Sequence, residues 1–297
     1  MADSHIYTPI KPRHSSKMSI RGIDYAIHEW GERAAPLIVF LHGFLDCGAT
    51  LQFVVDRLER DWRIVAPDLR GFGDSHGDVH AYWFPDYLAD LDALLEHLSP
   101  DSPARLVGHS MGANIAGLYA GAFPERVRAF VNLEGFGLPD SDPEDAPARY
   151  RQWILGGRAG QRFLRYPNFA ALADRVAERN PLMGRAEAEY VARCWAIEEG
   201  DAVVLRADPL HRLKNPVLYR RAEAEACWRS VTADILLVAG GASDFAAGAS
   251  AITGADRLGP AFQRASLDVI EGAGHMLHFE APSAVARLIE TFFEPHL

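Results

Sequence analysis

The sequence predicts an α/β protein built on a mostly parallel sheet covered by helices on both faces, and three observations carry that reading. Short apolar runs recur along the chain, each bounded by Gly, Pro or Asp. Segments with helical spacing lie between them. One long stretch, from about residue 139 to 228, interrupts the alternation. A parallel strand is buried on both faces, so it reads as a continuous apolar run instead of an alternating one.

Taken in order, residues 1–18 read as an irregular arm, polar and without the apolar stretch of a secretory signal. Leu37-Ile-Val-Phe-Leu41 is the first continuous run, followed by Arg63-Ile-Val-Ala66, Arg105-Leu-Val107, Ala129-Phe-Val-Asn-Leu133 and Ile235-Leu-Leu-Val-Ala239, with a last strand near Ser266 to Ile270. Asp86 to Leu98 places Leu88, Leu91, Leu94, Leu95 and Leu98 at steps of three and four, the apolar face of an amphipathic helix. Ala113 to Ala122 is a small-residue helix, and Pro282 to Phe293 is a further amphipathic helix with Pro near its start, where a helix tolerates it.

Residues 139–228 show no convincing buried strand and read as several short helices. Their 14 Asp/Glu and 14 Lys/Arg balance, and aromatics are frequent: Trp153, Phe163, Tyr166, Phe169, Tyr190 and Trp195. A helical cap inserted into an α/β core explains this better than a loop, because structureless loops of that length are rare inside compact domains. The core is then 1–138 and 229–297.

The 297 residues carry a formal net charge of −10, which argues against a nucleic-acid partner, since such a surface needs clustered positive charge. No apolar run approaches the roughly 20 residues that span a bilayer. A cytoplasmic chain is the expectation. Cys47, Cys194 and Cys227, scattered and odd in number, read as free thiols that pack as small apolar side chains.

The chemistry concentrates at three strand ends. Gly108-His-Ser110-Met-Gly112 follows the strand at 105–107 and precedes a helix. A nucleophilic serine needs such a sharp turn, with its hydroxyl exposed and glycines on either side to let strand and helix approach. His42-Gly43-Phe44-Leu45-Asp46 follows the strand Leu37 to Leu41. Such a loop can supply one of two amide donors for an oxyanion, here Phe44 with Met111, each worth on the order of 3 kcal/mol in sites of this kind. Gly272-Ala-Gly274-His275-Met-Leu-His278 follows the last strand. A base must have a pKa near neutrality and reach the serine, which His275 can do from a glycine-flanked loop. His278 lies in a nascent helix and reads as a packing or capping residue. A metal pair with His275 lacks a third ligand of matching spacing, so no metal is expected. Asp68-Leu-Arg70-Gly71-Phe-Gly73-Asp-Ser75 reads as a loop braced by its own Asp and Arg side chains more than as a substrate contact.

These four motifs, in this order and spacing, resemble the α/β-hydrolase superfamily, in the serine-nucleophile branch with a helical cap after the sixth strand. The resemblance runs from about Ile20 to the C-terminus. It implies an eight-stranded sheet, a site at the strand C-terminal ends and the chain order nucleophile, acid, histidine, met by Ser110, Asp244 and His275. Asp244 is the expected acid, following the strand Ile235 to Ala239. Glu134, at the end of the strand Ala129 to Leu133, is the alternative. Serine at the nucleophile position argues against epoxide hydrolysis and dehalogenation, whose branches use aspartate there. The expected reaction is hydrolysis of a small-molecule ester, lactone or thioester, mainly apolar, with no cofactor. Carbon–carbon bond hydrolysis, cofactor-free perhydrolysis, and a small-molecule receptor that retains the site are the alternatives. The sequence does not set the oligomeric state.

Overall fold

The computed structural model describes residues 6–244 and 261–297. Eight strands form one sheet in the order β1-β2-β4-β3-β5-β6-β9-β10. They are β1 (His14–Ile20), β2 (Ile23–Trp30), β3 (Leu37–Leu41), β4 (Arg63–Pro67), β5 (Ala104–His109), β6 (Val127–Leu133), β9 (Asp234–Gly240) and β10 (Ala265–Ile270). β2 runs antiparallel to both neighbours, and every pairing from β4 through β10 is parallel. All the parallel strands therefore end on one edge.

The continuous apolar runs have the cause the sequence suggests. In β3, Val39 and Leu41 enter one buried cluster and Ile38 and Phe40 the other. In β5 and β6, Leu106 and Phe130 face the first, and Val107 and Val131 face the second. The first layer is closed by helices α2 (Phe84–Leu98), α3 (Met111–Ala122) and α7 (Arg221–Ser230), which contribute Leu91, Leu94, Ile115, Tyr119 and Trp228. The second is closed by the short α1 (Gln52–Val55) and the C-terminal helix Pro282–Phe293, through Val54, Val55, Val285 and Ile289.

Two boundaries differ from the sequence reading. β1 begins at His14, inside the expected arm, and pairs with β2 from His14 to Ile20 through backbone hydrogen bonds while most of its side chains stay exposed, so no apolar pattern marks it. At the other end, α7 packs on the sheet, its Trp228 buried in the first cluster. Ala224 of the same helix enters that cluster too.

The segment between β6 and α7 contains α4 (Ala146–Ala159), α5 (Phe169–Arg179), α6 (Arg185–Trp195), the hairpin β7 (Ala196–Glu199) and β8 (Ala202–Leu205), and a 3₁₀ turn Pro209–Arg212. The four-residue strands of the hairpin are too short to show in an apolar pattern. α5 and α6 share a small core of their own, with Leu172, Val176, Val191 and Val203, which meets Phe53 and Phe279 of the main body. The segment is fastened to the loops at the C-terminal edge of the sheet. Trp195 Nε1 donates to Asp46 (2.7 Å), Asp208 N to Gly71 O (2.8 Å), and Arg206 to Asp74 (2.6 Å). No helix among the described residues is long and apolar enough to cross a membrane.

The loop after β4 is held from within. Asp68 accepts from Gly48 N (2.7 Å) and Asp74 N (2.8 Å) and pairs with His28 Nε2 (3.1 Å). Arg70 forks onto Asp90 of α2 with bonds of 2.7 and 2.6 Å, and Tyr25 and Arg21 add donors to the same carboxylate. Both partners of the Arg70–Asp90 pair are buried. Removing one partner of such a pair leaves a buried charge unpaired, so Asp90→Ala is expected to cost about 3–5 kcal/mol in urea unfolding. A loss below about 1 kcal/mol, the range of an exposed pair, would show that this fork does not hold the loop.

Candidate active site

Ser110 stands between β5 and α3 with φ +50° and ψ −111°. Such a backbone costs on the order of 1–3 kcal/mol and persists only where its surroundings impose it. Here Ser110 N donates to Leu133 O (2.8 Å), and Ser110 O accepts from both Asn114 N and Asn114 Nδ2 (3.0 Å each). The start of α3 lies directly on the end of β3. A Cβ at Gly112 would come within 2.2 Å of Leu41 O and 2.6 Å of His42 O, so only glycine fits.

The loop after β3 is pinned by a buried imidazole. Leu69 N donates to His42 Nε2 (2.8 Å), which leaves the proton on Nδ1, and Nδ1 donates to Gly43 O (2.7 Å). Burial lowers the His42 pKa against the pull of Asp46 and Asp68, consistent with a neutral ring. In a trans peptide the carbonyl and the next N–H point opposite ways, so anchoring Gly43 O fixes the direction of the Phe44 N–H. Among the described residues neither the Phe44 nor the Met111 amide donates to a protein acceptor, and the latter is one of the orphan donors that open a helix. A Cβ is excluded at Gly43 as well, where it would stand 2.7 Å from His109 Nδ1 and 3.4 Å from Ser110 Cβ.

His275 lies on the loop after β10, its carbonyl accepting from His109 Nε2 (2.9 Å). Its Nδ1 meets Glu134 Oε2 at 3.0 Å. Glu134 is fully buried at the end of β6, with φ +59°. Its carboxylate also accepts from Gly240 N (2.7 Å) and Ser243 Oγ (2.7 Å). A carboxylate only accepts, so Nδ1 carries the proton and Nε2 keeps its lone pair. Here the geometry departs from the sequence expectation. Asp244 is exposed, and the end of β9 and the loop after it offer Gly240 and Ser243 as donors to Glu134 while the loop's own acid faces solvent. The strand end at β6 supplies the carboxylate that reaches His275.

His278 is buried one helical turn further on and donates from Nε2 to Asp46 Oδ2 (3.0 Å), so it braces the structure, as its place in the helical turn Leu277–Glu280 suggested. Asp46 also accepts from Thr50 Oγ1 and Trp195 Nε1 at 2.7 Å each. Burial alone would raise its pKa, but the His278 hydrogen bond and charge, with His42 and Trp195, outweigh it and hold the value at about 2. Asp46, His109 and His278 form the one group among the described residues whose ligand atoms, within 4.8 Å of one another, could hold a metal ion. Both Asp46 oxygens are committed to donors, however, and His109 Nδ1 faces Gly43, so the set fits a hydrogen-bonded brace better than a coordination site.

A cavity of about 260 Å³ opens beside Phe44 and Met111. Its walls are aromatic and aliphatic, including Tyr82, Trp83, Trp153 and Leu210, and among the described residues no Asp, Glu, Lys or Arg lines it. His211 enters it stacked on Phe72 (ring centroids 3.9 Å) and Tyr82 (3.6 Å). Burial, outweighing Asp208, pushes its pKa down to about 4, so the ring is neutral at neutral pH. Of the aromatics singled out in the inserted segment, Trp153 alone lines this cavity. Tyr82, Trp83, Phe84 and Tyr87 come instead from the segment before and within α2, where the dense run Tyr82-Trp-Phe-Pro-Asp-Tyr87 was the available signal.

Comparison with known proteins agrees with this fold. Residues 36–282 match the family model described as the alpha/beta hydrolase fold. A serine hydrolase-like protein of Danio rerio is 28% identical over 275 residues, covering 90% of this chain and 84% of that protein. A 2-(acetamidomethylene)succinate hydrolase of Mesorhizobium japonicum is 27% identical over 286 residues, covering 94% and 95%. Among solved structures, a thioesterase domain from the curacin biosynthetic pathway superposes with a TM-score of 0.83 at 26% identity, covering 94% of this chain and 99% of that one. With relatives named as hydrolases and the fold matched along nearly its whole length, the chain belongs to the alpha/beta hydrolase fold family.

Proposed function

We propose that the chain is a serine hydrolase that cleaves a small, neutral and mainly apolar ester, lactone or thioester through an acyl-enzyme on Ser110, with His275 as base and Glu134 as its acidic partner. The observation that carries this reading is the Glu134–His275 contact, which leaves Nε2 as the proton acceptor, in a fold that also strains Ser110 at the start of α3. His275 Nε2 takes the Ser110 proton as the oxygen attacks the carbonyl carbon. The tetrahedral oxyanion sits on the amides of Phe44 and Met111. The imidazolium, stabilised by Glu134, returns the proton to the leaving group, and water clears the acyl-enzyme by the same steps. The inserted segment acts as the cap over this site, and His42 and Gly43 hold the Phe44 amide in place.

The uncharged cavity supports the apolar substrate class. It does not suit a succinate derivative such as the one named for the Mesorhizobium japonicum relative, since among the described residues no Lys or Arg lines it to meet a carboxylate. The similarity to a thioesterase domain keeps thioesters within the proposed class.

Three outcomes test the reading. Ser110→Ala is expected to lower turnover of p-nitrophenyl esters by about 10⁶ and to abolish fluorophosphonate labelling in a folded chain. Label found on another serine, or a single stoichiometric burst without turnover in the unmodified chain, contradicts it. Glu134→Gln is expected to lower turnover by about 10⁴, as an amide does in place of a triad acid, while Asp244→Asn changes it little. The opposite ranking moves the acid to Asp244. Neutral acyl esters are expected to be preferred over dicarboxylate monoesters by more than about tenfold in kcat/KM, because burying an unpaired carboxylate is costly. Preference for the anionic substrate would remove the apolar assignment.

A further inference from the structure

Two thiols meet where the inserted segment touches the loop after β3. Cys47 directly follows Asp46 and is buried. Its Sγ lies 3.8 Å from the carbonyl oxygen of Cys194, to which it donates, and both residues line one cavity. Cys194 is the penultimate residue of α6. Arg13 Nη1 donates to Tyr190 Oη (3.1 Å) in the cavity that Cys194 also lines. Cys47, Cys194, Arg13 and Tyr190 line an open cavity of about 260 Å³ that shares no lining residue with the cavity at Phe44 and Met111. Neither thiol takes part in the acyl transfer proposed above, and Cys227 stands apart on α7.

We propose that Cys47 and Cys194 form an oxidisable dithiol that hydrogen peroxide converts to a disulfide, tying α6 of the inserted segment to the loop that carries Phe44. The placement supports this directly. Asp46 already holds Trp195 by a hydrogen bond, and Cys47 and Cys194 are their immediate chain neighbours, so the new bond would form beside an existing contact. The cavity gives a small peroxide access to the pair. Arg13 supplies the positive charge that activates a thiol for oxidation.

The division of labour follows from the surroundings. The neighbouring Cys47 thiol lowers the Cys194 pKa, burial opposes this, and Arg13 lowers it further. Cys47 is raised well above its usual range by the Cys194 thiol and by burial. Cys194 therefore attacks first. Its thiolate forms an S–O bond as the peroxide O–O bond breaks, giving a sulfenic acid and hydroxide, which takes up the proton Cys194 had lost and becomes water. The Cys47 sulfur then forms the S–S bond, the S–O bond breaks, and the departing hydroxide with the Cys47 proton makes a second water. Two thiols lose two electrons and one peroxide gains them.

The test uses the full chain, treated with hydrogen peroxide, alkylated with N-ethylmaleimide and digested without reductant. Mass spectrometry is expected to find one crosslinked pair containing Cys47 and Cys194, lighter by two hydrogens than the separate peptides and reversed by dithiothreitol, with Cys227 alkylated. Cys47→Ser should leave a sulfenic acid on Cys194 that dimedone traps, and Cys194→Ser should leave Cys47 alkylatable. Ser110→Ala should form the same bridge, which separates this inference from the hydrolase reading. Three alkylatable thiols after treatment, a crosslink through Cys227, or independent oxidation of each cysteine to sulfinic acid would overturn it. The unmodified chain alone decides the matter if a serine variant fails to fold.

Discussion

Everything at the sheet's C-terminal edge is organised by the buried carboxylate of Glu134. Such a group costs several kcal/mol to desolvate unless donors surround it. Glu134 collects three: an amide and a hydroxyl from the end of β9 and the loop after it, and an imidazole from the loop after β10. One side chain therefore ties three strand ends together. The requirement that the carboxylate be satisfied also fixes the ring and tautomer of His275. The left-handed backbone at Glu134, φ +59°, turns the chain at the strand end and is the local expense of this arrangement.

A second carboxylate repeats the device on the other side. Asp46 holds His278, Thr50 and Trp195, so it joins the loop after β3, the helical turn after His275 and the inserted segment. Between the two acid–imidazole pairs lies His109, its ring centre 4.9 Å from that of His275 and 4.5 Å from that of His278. Burial lowers its pKa well below the usual value, and His278 and His275 lower it further, so it is a neutral donor to the His275 carbonyl. A carboxylate stands at each end of the row, and the middle ring positions the loop.

Much of this was legible in the sequence for a physical reason. Strands buried on both faces, such as Leu37–Leu41, leave a continuous apolar trace, and a glycine-flanked serine or histidine marks a place where backbones must approach closely. The edge strand β1 left no such trace, since its residues from His14 to Lys17 are polar and exposed and backbone pairing with β2 does the holding, while in β2 the buried Ile23, Tyr25, Ile27 and Trp30 are interrupted by Asp24, His28 and Glu29. The acid was open for a different reason. Glu134 and Asp244 both follow parallel strands ending on the same edge, and spacing says nothing about how each loop turns. Glu134 directly follows its strand, whereas Asp244 is four residues past Gly240, where its neighbour Ser243 turns toward the carboxylate and Asp244 toward solvent. The cavity walls were hidden for a similar reason, because the aromatics between Tyr82 and Tyr87 span the start of a helix whose apolar face also builds the core.

The central claim is that Glu134 holds the proton on His275 Nδ1. Proton NMR of the full chain in water measures this most directly, through the downfield resonance of an imidazole N–H bonded to a carboxylate, assigned by its loss in His275→Gln. The account predicts that this resonance is present in the unmodified chain, moves upfield or exchanges away in Glu134→Gln, and is unchanged in Asp244→Asn. A resonance that survives Glu134→Gln and disappears in Asp244→Asn would contradict it.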